Sequence, residues 1–259
     1  MTIASRNAEY TPSVYREQGG NTLRVRSAGR IVSEDELWGN CPMMNWLLDP
    51  SIGVHLIEDW QGYDAAATDG DYVLTQATTG TGAISTAAAG VLELDSNSTT
   101  STQGATLQRA KSPFFAIAGK GLWFETKVKI VDTYDKVELF VGLSELDTTL
   151  IASSLNSSAN HIGWECVSDD GVLVFAGEKA GARDTEAAAT IAEDTYITLG
   201  FYVNGVTNVD QYVNGVLTGS TILTANIPVV ALYPSFVCQS AGTNDPIMHI
   251  AGYRVFQER

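Results

Sequence analysis

Histidine and cysteine are scarce in this chain, three of each in 259 residues. His55, His161 and His249 each stand alone in a strand-like pattern, with no His-x-His or His-x-x-x-His pairing of the kind that builds metal centres. Cys41, Cys166 and Cys238 are odd in number and lack metal-type spacing. Cys166 and Cys238 fall in apolar strand patterns, which points to buried free thiols. No metal and no cofactor is expected. Basic residues are also few, 15 against 30 acidic ones, for a net charge of −15. Phosphate neutralisation needs clustered Lys and Arg, so nucleic acid is not an expected partner. No run has the apolar length of a membrane span, and residues 1–20 are polar with no leader-like apolar core, so no membrane association is expected. Folding in a reducing cytosol is the corresponding expectation. No serine sits in a Gly-x-Ser-x-Gly elbow, and no glycine cluster follows a strand-to-helix pattern.

The charge that is present is unevenly spread. Residues 1–30 contain Arg6, Arg16, Arg24, Arg26 and Arg30 against Glu9 and Glu17, a balance of +3, and the remaining chain carries −18. A basic arm on an acidic body suggests docking on an acidic protein surface, and guanidinium groups favour forked pairing with carboxylates. Residues 1–18 show no sustained periodicity and read as an extended segment that a partner orders. Within 19–33, Leu23 and Val25 alternate with Arg24 and Arg26, predicting a short strand at 22–26 and a second at 30–33. Two such strands bury too little to stand alone and need a partner. The chain divides into a basic arm over 1–33, a linker over 34–48 and a body over 49–259. Ser33 and Glu36 form a capping-box pattern in the linker, but Gly39 and Pro42 limit any helix there.

The body reads as about a dozen short strands separated by Gly, Asn, Asp and Ser. The stretch from Gly119 to Glu145 organises it. Leu122, Phe124, Thr126, Val128 and Ile130 share one parity, and Trp123, Glu125, Lys127 and Lys129 share the other. Val137, Leu139, Val141 and Leu143 resume the pattern after a polar turn, so a central antiparallel pair is expected. HIGWECV (161–167) and VLVFAGE (172–178) form a hairpin pattern, and Asn204-Gly205 and Asn214-Gly215 are strong hairpin turns. Many strands and almost no helix predict an all-β protein, an antiparallel β-sandwich of jelly-roll type.

The series WFETKVKI, DKVELFVGLSE, HIGWE, VLVFAGEK, YITLGFYVNG, VDQYVNGVLTG resembles the concanavalin A-like and laminin G sandwich class. With its arm (TPSVYREQGGNTLRVRSAG), the chain also resembles tailed-bacteriophage capsid decoration, or head cement, proteins. That resemblance implies a non-enzymatic virion structural protein on the outer capsid surface. Its partners would be the major capsid protein and further copies of itself, as a homodimer or homotrimer. The implied capsid-docking residues are Tyr10, Tyr15, Arg16, Leu23, Arg24, Val25, Arg26 and Arg30, the tyrosines as aromatic anchors and the short strands as pairing edges. The alternative is a lectin-like fibre or tail protein that recognises a host surface glycan, for which Trp60, Trp123 and Trp164 are the aromatic candidates; Trp123, on the wet parity, is expected at the surface or a subunit contact. Glucanases of this sandwich class need paired carboxylates across the scissile bond. The nearest approach is Glu145-Leu146-Asp147, at a strand end and without a third carboxylate, so no catalytic residue is assigned. Asp69-Gly70-Asp71 and Asp169-Asp170-Gly171 read as solvated turns, not calcium loops.

Overall fold

A computed structural model of the chain describes residues 14–16, 23–25, 51–63, 70–77, 80–84, 90–101, 103–131, 134–147, 159–167, 170–220 and 224–259. The expected linker, Cys41, Tyr10, Arg26, Arg30 and the predicted strand at 30–33 lie outside these residues. In chain order the strands are β1 (Val14–Arg16), β2 (Leu23–Val25), β3 (Gly53–Glu58), β4 (Tyr72–Ala77), β5 (Thr81–Ile84) and β6 (Leu92–Asp95). There follow β7 (Gly104–Arg109), β8 (Gly121–Val131), β9 (Val137–Ser144), β10 (His161–Cys166), β11 (Val172–Lys179) and β12 (Ala182–Thr190). The last five are β13 (Ile197–Asn204), β14 (Asn208–Val213), β15 (Val216–Gly219), β16 (Tyr233–Ser240) and β17 (Ile247–Glu258).

Two antiparallel sheets form the jelly-roll sandwich. One runs β12-β11-β10-β9-β16-β7-β4, and the other β15-β14-β13-β8-β17-β6-β5 with β3 beside β17. The twelve-residue β17 takes two neighbours in succession along one edge, β6 at Ile247–Ile250 and β3 at Tyr253–Glu258. Its register shifts between those stretches, around Gly252 at φ 137°, where an added Cβ would lie 2.7 Å from the Glu58 carbonyl oxygen. The first and last body strands therefore pair directly, Gly53 opposite Glu258.

The expected pairing of β8 with β9 is not made. β8 pairs with β13 and β17, whereas β9 pairs with β10 and β16 in the other sheet. The apolar parity is right for both strands, because both turn it inward. The connection through the short 3-10 turn Tyr134–Lys136 crosses between layers instead of closing a hairpin. Where two residues suffice, the turn signal holds: Asn214 (φ 47°) and Gly215 (φ 76°) both take positive φ and close β14 onto β15. That is the type I′ geometry that matches strand twist.

The interior is filled from both sheets. Phe124 and Phe201 stack at 5.1 Å on the eight-stranded side, and Phe175 meets Phe201 edge-on at 5.2 Å from the other. The Trp164 indole N–H donates to the Gly200 carbonyl at 3.2 Å, tying β10 to β13 across the core. Each such aromatic contributes about 1.5–3 kcal/mol by burial. Trp60 lies among Tyr63, Tyr72, Phe236 and Tyr253 with φ 62°, a rare conformation for a bulky residue. The Glu58 carboxylate holds that corner, accepting from the Trp60 amide at 2.8 Å and the Tyr72 hydroxyl at 2.7 Å. Burial pushes the Tyr72 and Tyr253 phenols up, so both stay protonated. Cys166 and Cys238 are buried free thiols, as their setting in apolar strands suggests.

The arm contributes a separate feature. β1 and β2 pair with each other as a two-stranded ladder, Val14 opposite Val25, Tyr15 opposite Arg24 and Arg16 opposite Leu23. The partner of the strand at 23–25 is thus an earlier segment of the same chain.

Candidate functional site

In a two-layer sandwich the outward faces are expected to be wet. The seven-stranded sheet breaks this expectation. Its register lays out three rows of outward side chains. The first runs Tyr233, Ser144, His161, Glu178, Arg183 across β16 to β12. The second is small: Gln108, Ser235, Gly142, Gly163, Ala176, Thr185. The third runs Thr106, Val237, Phe140, Glu165, Val174.

The middle row lets the outer two meet. An added Cβ at Gly142 or Gly163 would lie 3.0 Å from the Phe140 ring, which leans over both glycines and meets His161 edge-on at 5.4 Å. His161 and Glu165 approach over Gly163, with Nε2 and Oε2 3.7 Å apart. Arg183 reaches across from β12 to pair with Glu165, which is fully buried. His161 Nδ1 lies 2.9 Å from the Ala159 carbonyl oxygen, and burial lowers the pKa of the imidazole. Sequence parity places His161 and Glu165 on the outward face but does not reveal that the face is dry.

Next to the first row a hollow of about 470 Å³ opens, lined by Glu145, Leu146, Asp147, Ala159, Ala231 and Tyr233. Its rim is built by hydrogen bonds. Gln108 Nε2 lies 2.9 Å from Ser144 Oγ and 3.0 Å from Ser235 Oγ, and the Asp147 amide donates to Gln108 Oε1 at 3.0 Å. Asn160 donates through Nδ2 to Glu145 Oε2 at 2.6 Å. The Glu145-Leu146-Asp147 stretch that stood out in the sequence thus begins after β9 ends and faces this hollow. Two acidic residues and a tyrosine in a hollow of ordinary ligand size suit hydrogen bonding to a polyhydroxylated ligand.

Other sequence candidates fall away from the site. Trp60, Trp123 and Trp164 are all buried, at 1%, 1% and 0% exposure. Trp123 does take the outward parity, but it packs on Tyr212 at 5.1 Å and donates to Glu125 at 3.3 Å. Its expected exposure is therefore not realised, and no tryptophan among the three offers a stacking surface. Asp71 is held by Arg109 at 3.0 Å and Lys111 at 3.1 Å, and hydrogen bonds from these two cations keep its carboxyl below the usual range. Asp170 accepts from the Val172 amide at 2.9 Å, an ordinary turn bond. Among the described residues no cluster of three His, Cys, Asp or Glu side chains is arranged to hold a metal. Of the arm residues, Tyr15, Arg16, Leu23, Arg24 and Val25 lie on the β1–β2 ladder. No helix among the described residues is long and apolar enough to cross a membrane.

The fold is a jelly-roll sandwich of the kind that lectins also adopt, and solved structures agree. A protein of unknown function from Shewanella oneidensis MR-1 superposes with a TM-score of 0.58 at 13% identity, covering 80% of this chain and 87% of that one. Peanut lectin, bound to a nine-residue peptide, gives 0.56 at 11% identity, with 79% and 97% covered. A sialidase gives 0.53 at 13% identity over 79% of this chain and 18% of its own. At such identities the likeness establishes the fold alone, since one sandwich hosts binding proteins and enzymes. No protein family and no curated protein matches the chain in sequence.

Proposed function

We propose that the chain is a non-enzymatic surface protein of a tailed-phage virion, held on the capsid by its N-terminal arm. The observation that carries this reading is the β1–β2 ladder, which is separate from both body sheets. A three-residue ladder is too small to be stable by itself, and its edges are suited to pairing with another protein. Arg16 and Arg24 lie on that ladder, and an arm of +3 before a chain that carries −18 from residue 31 onward needs an acidic docking surface. The body's charge keeps decorated particles apart. The test is co-sedimentation with empty heads, comparing the full chain with one lacking residues 1–33. Loss of binding by a truncated body with unchanged circular dichroism is the expected result. Equal binding by both overturns the arm reading.

A second reading is favoured by the hollow at Glu145, Asp147 and Tyr233: recognition of a host surface glycan by a fibre or tail protein. Tyr233→Phe is then expected to weaken binding on a glycan array at least fivefold. An array on which the wild-type chain binds nothing removes this reading.

A further inference from the structure

The end of the sandwich from which the arm emerges differs from the opposite end. β3 starts there, and so do β8, β10 and β16, while β7, β9, β11, β13 and β17 finish there. The ten large apolar side chains exposed among the described residues include Val54, Phe115, Ile117, Leu146 and Val229, all at this end. They are connected through the fold. The Phe115 amide donates to Gln257 Oε1 at 2.9 Å, and Gln257 is the register partner of Val54. Phe114 bridges Leu232, which follows Val229 by three residues. The segment between β7 and β8 thus lays Phe115 and Ile117, at 36% and 43% exposure, across the end of the body beside the first strand after the arm.

Charge follows the same division. Arg109, Lys111, Lys120, Lys179, Arg183 and Arg259 lie at or beside strand ends on the arm side. Acidic neighbours balance them there, as Lys120 with Glu258 at 3.7 Å. The opposite end has Asp95, Asp135, Asp170, Glu193, Asp194 and Asp245, with Lys136 nearby and Lys129 reaching Asp194 at 3.4 Å. An acidic partner surface, which the arginine arm requires, repels that far end and tolerates the near one.

We infer that the arm-side end of the sandwich, centred on Phe115, Ile117 and Val229, is a second docking surface for the same capsid protein that the arm grips. This rests on the virion reading above and adds an orientation: the body stands end-on, with its acidic end outward. The capsid protein would offer carboxylates to the arm and an apolar ledge to the body.

The test uses the full-length chain. A variant with Phe115→Ser, Ile117→Ser and Val229→Ser is compared with wild type and with a control, Val216→Ser and Leu217→Ser, which alters even more exposed apolar side chains on β15 at the other end. The triple variant is expected to bind empty heads at least tenfold more weakly with unchanged circular dichroism, and the control to bind as wild type. Wild-type binding by the triple variant overturns the docking surface while leaving the arm reading intact. Failure of the wild-type chain to bind heads overturns both. A triple variant that binds heads normally but loses self-association in sedimentation equilibrium assigns the surface to a second copy and overturns the inference.

Discussion

Each sheet buries a carboxylate on its outward face, and the two are handled differently. Glu125, 4% exposed on the eight-stranded sheet, sits beside Trp123 and accepts its indole N–H. Glu165, fully buried on the seven-stranded sheet, is paired with Arg183 and faces His161. Only the second shows a dependence on glycine: an added Cβ at Gly142 or Gly163 would lie 3.0 Å from the Phe140 ring, whereas the Trp123 ring would stand at an ordinary 3.4 Å from one at Gly200. The difference lies in burial. Glu125, the register partner of Arg254, keeps a small exposure, whereas Glu165 is fully buried beside Arg183, where losing the cation costs most. The pair on the seven-stranded face is consequently the more costly one to break.

The largest expected effect comes from breaking that pair. Arg183→Met strands a buried carboxylate and should cost about 3–5 kcal/mol, read as a fall in the urea midpoint. Replacing both partners, Arg183→Met with Glu165→Leu, should restore most of the loss, because the desolvated charge goes too. Next is Gly163→Ala, whose Cβ would lie 2.5 Å from the Val141 carbonyl oxygen and 2.8 Å from the Gly142 Cα. Backbone on both sides cannot yield cheaply, so a loss of about 1–3 kcal/mol is expected in the same assay. On the other face Trp123→Phe removes one N–H to a carboxylate, for about 1.5 kcal/mol. Equal losses for Arg183→Met and Trp123→Phe would erase the distinction between the faces.

The smallest effect is a pH dependence carried by the seven-stranded face. Burial holds the pKa of His161 below its ordinary value, so the unfolded chain binds more protons than the folded one once pH falls below about 6.5. The contribution is complete above that pH and is lost as pH falls toward the lowered folded value. Denaturation midpoints between pH 7.5 and 5 should therefore drop for wild type and drop less for His161→Gln. An identical slope in both would place the titration elsewhere.

Strand positions were legible in the sequence because parity is a local signal: Leu122 through Ile130 and Val137 through Leu143 alternate as they do in the structure. Sheet membership was not legible from that signal, since an inward-facing strand looks the same whichever layer it joins. The link over 132–136 resembled a hairpin and proved to be a crossing between layers. The Asn214-Gly215 hairpin was legible because its two positive φ values are demanded by the residues themselves. The site was legible only in part. Glu145-Leu146-Asp147 drew attention as an isolated carboxylate pair and does face the hollow. The buried network of His161, Glu165 and Arg183 is not visible in the sequence, because parity assigns a side chain to a face but cannot report what covers that face. Gly142 and Gly163 were the available hint, since glycine inside a strand marks close approach.

The pairing of the first body strand with the last also has a mechanical meaning. The chain enters the body at β3, which lies antiparallel to β17 over Gly53–Glu58, and the Arg259 amide donates to the Ile52 carbonyl at 2.8 Å. Tension pulling the arm away along the strand axis loads all six register pairs of that ladder together, in shear, instead of peeling them one at a time. A ladder loaded in this way resists unzipping at the junction where a load on the preceding chain enters.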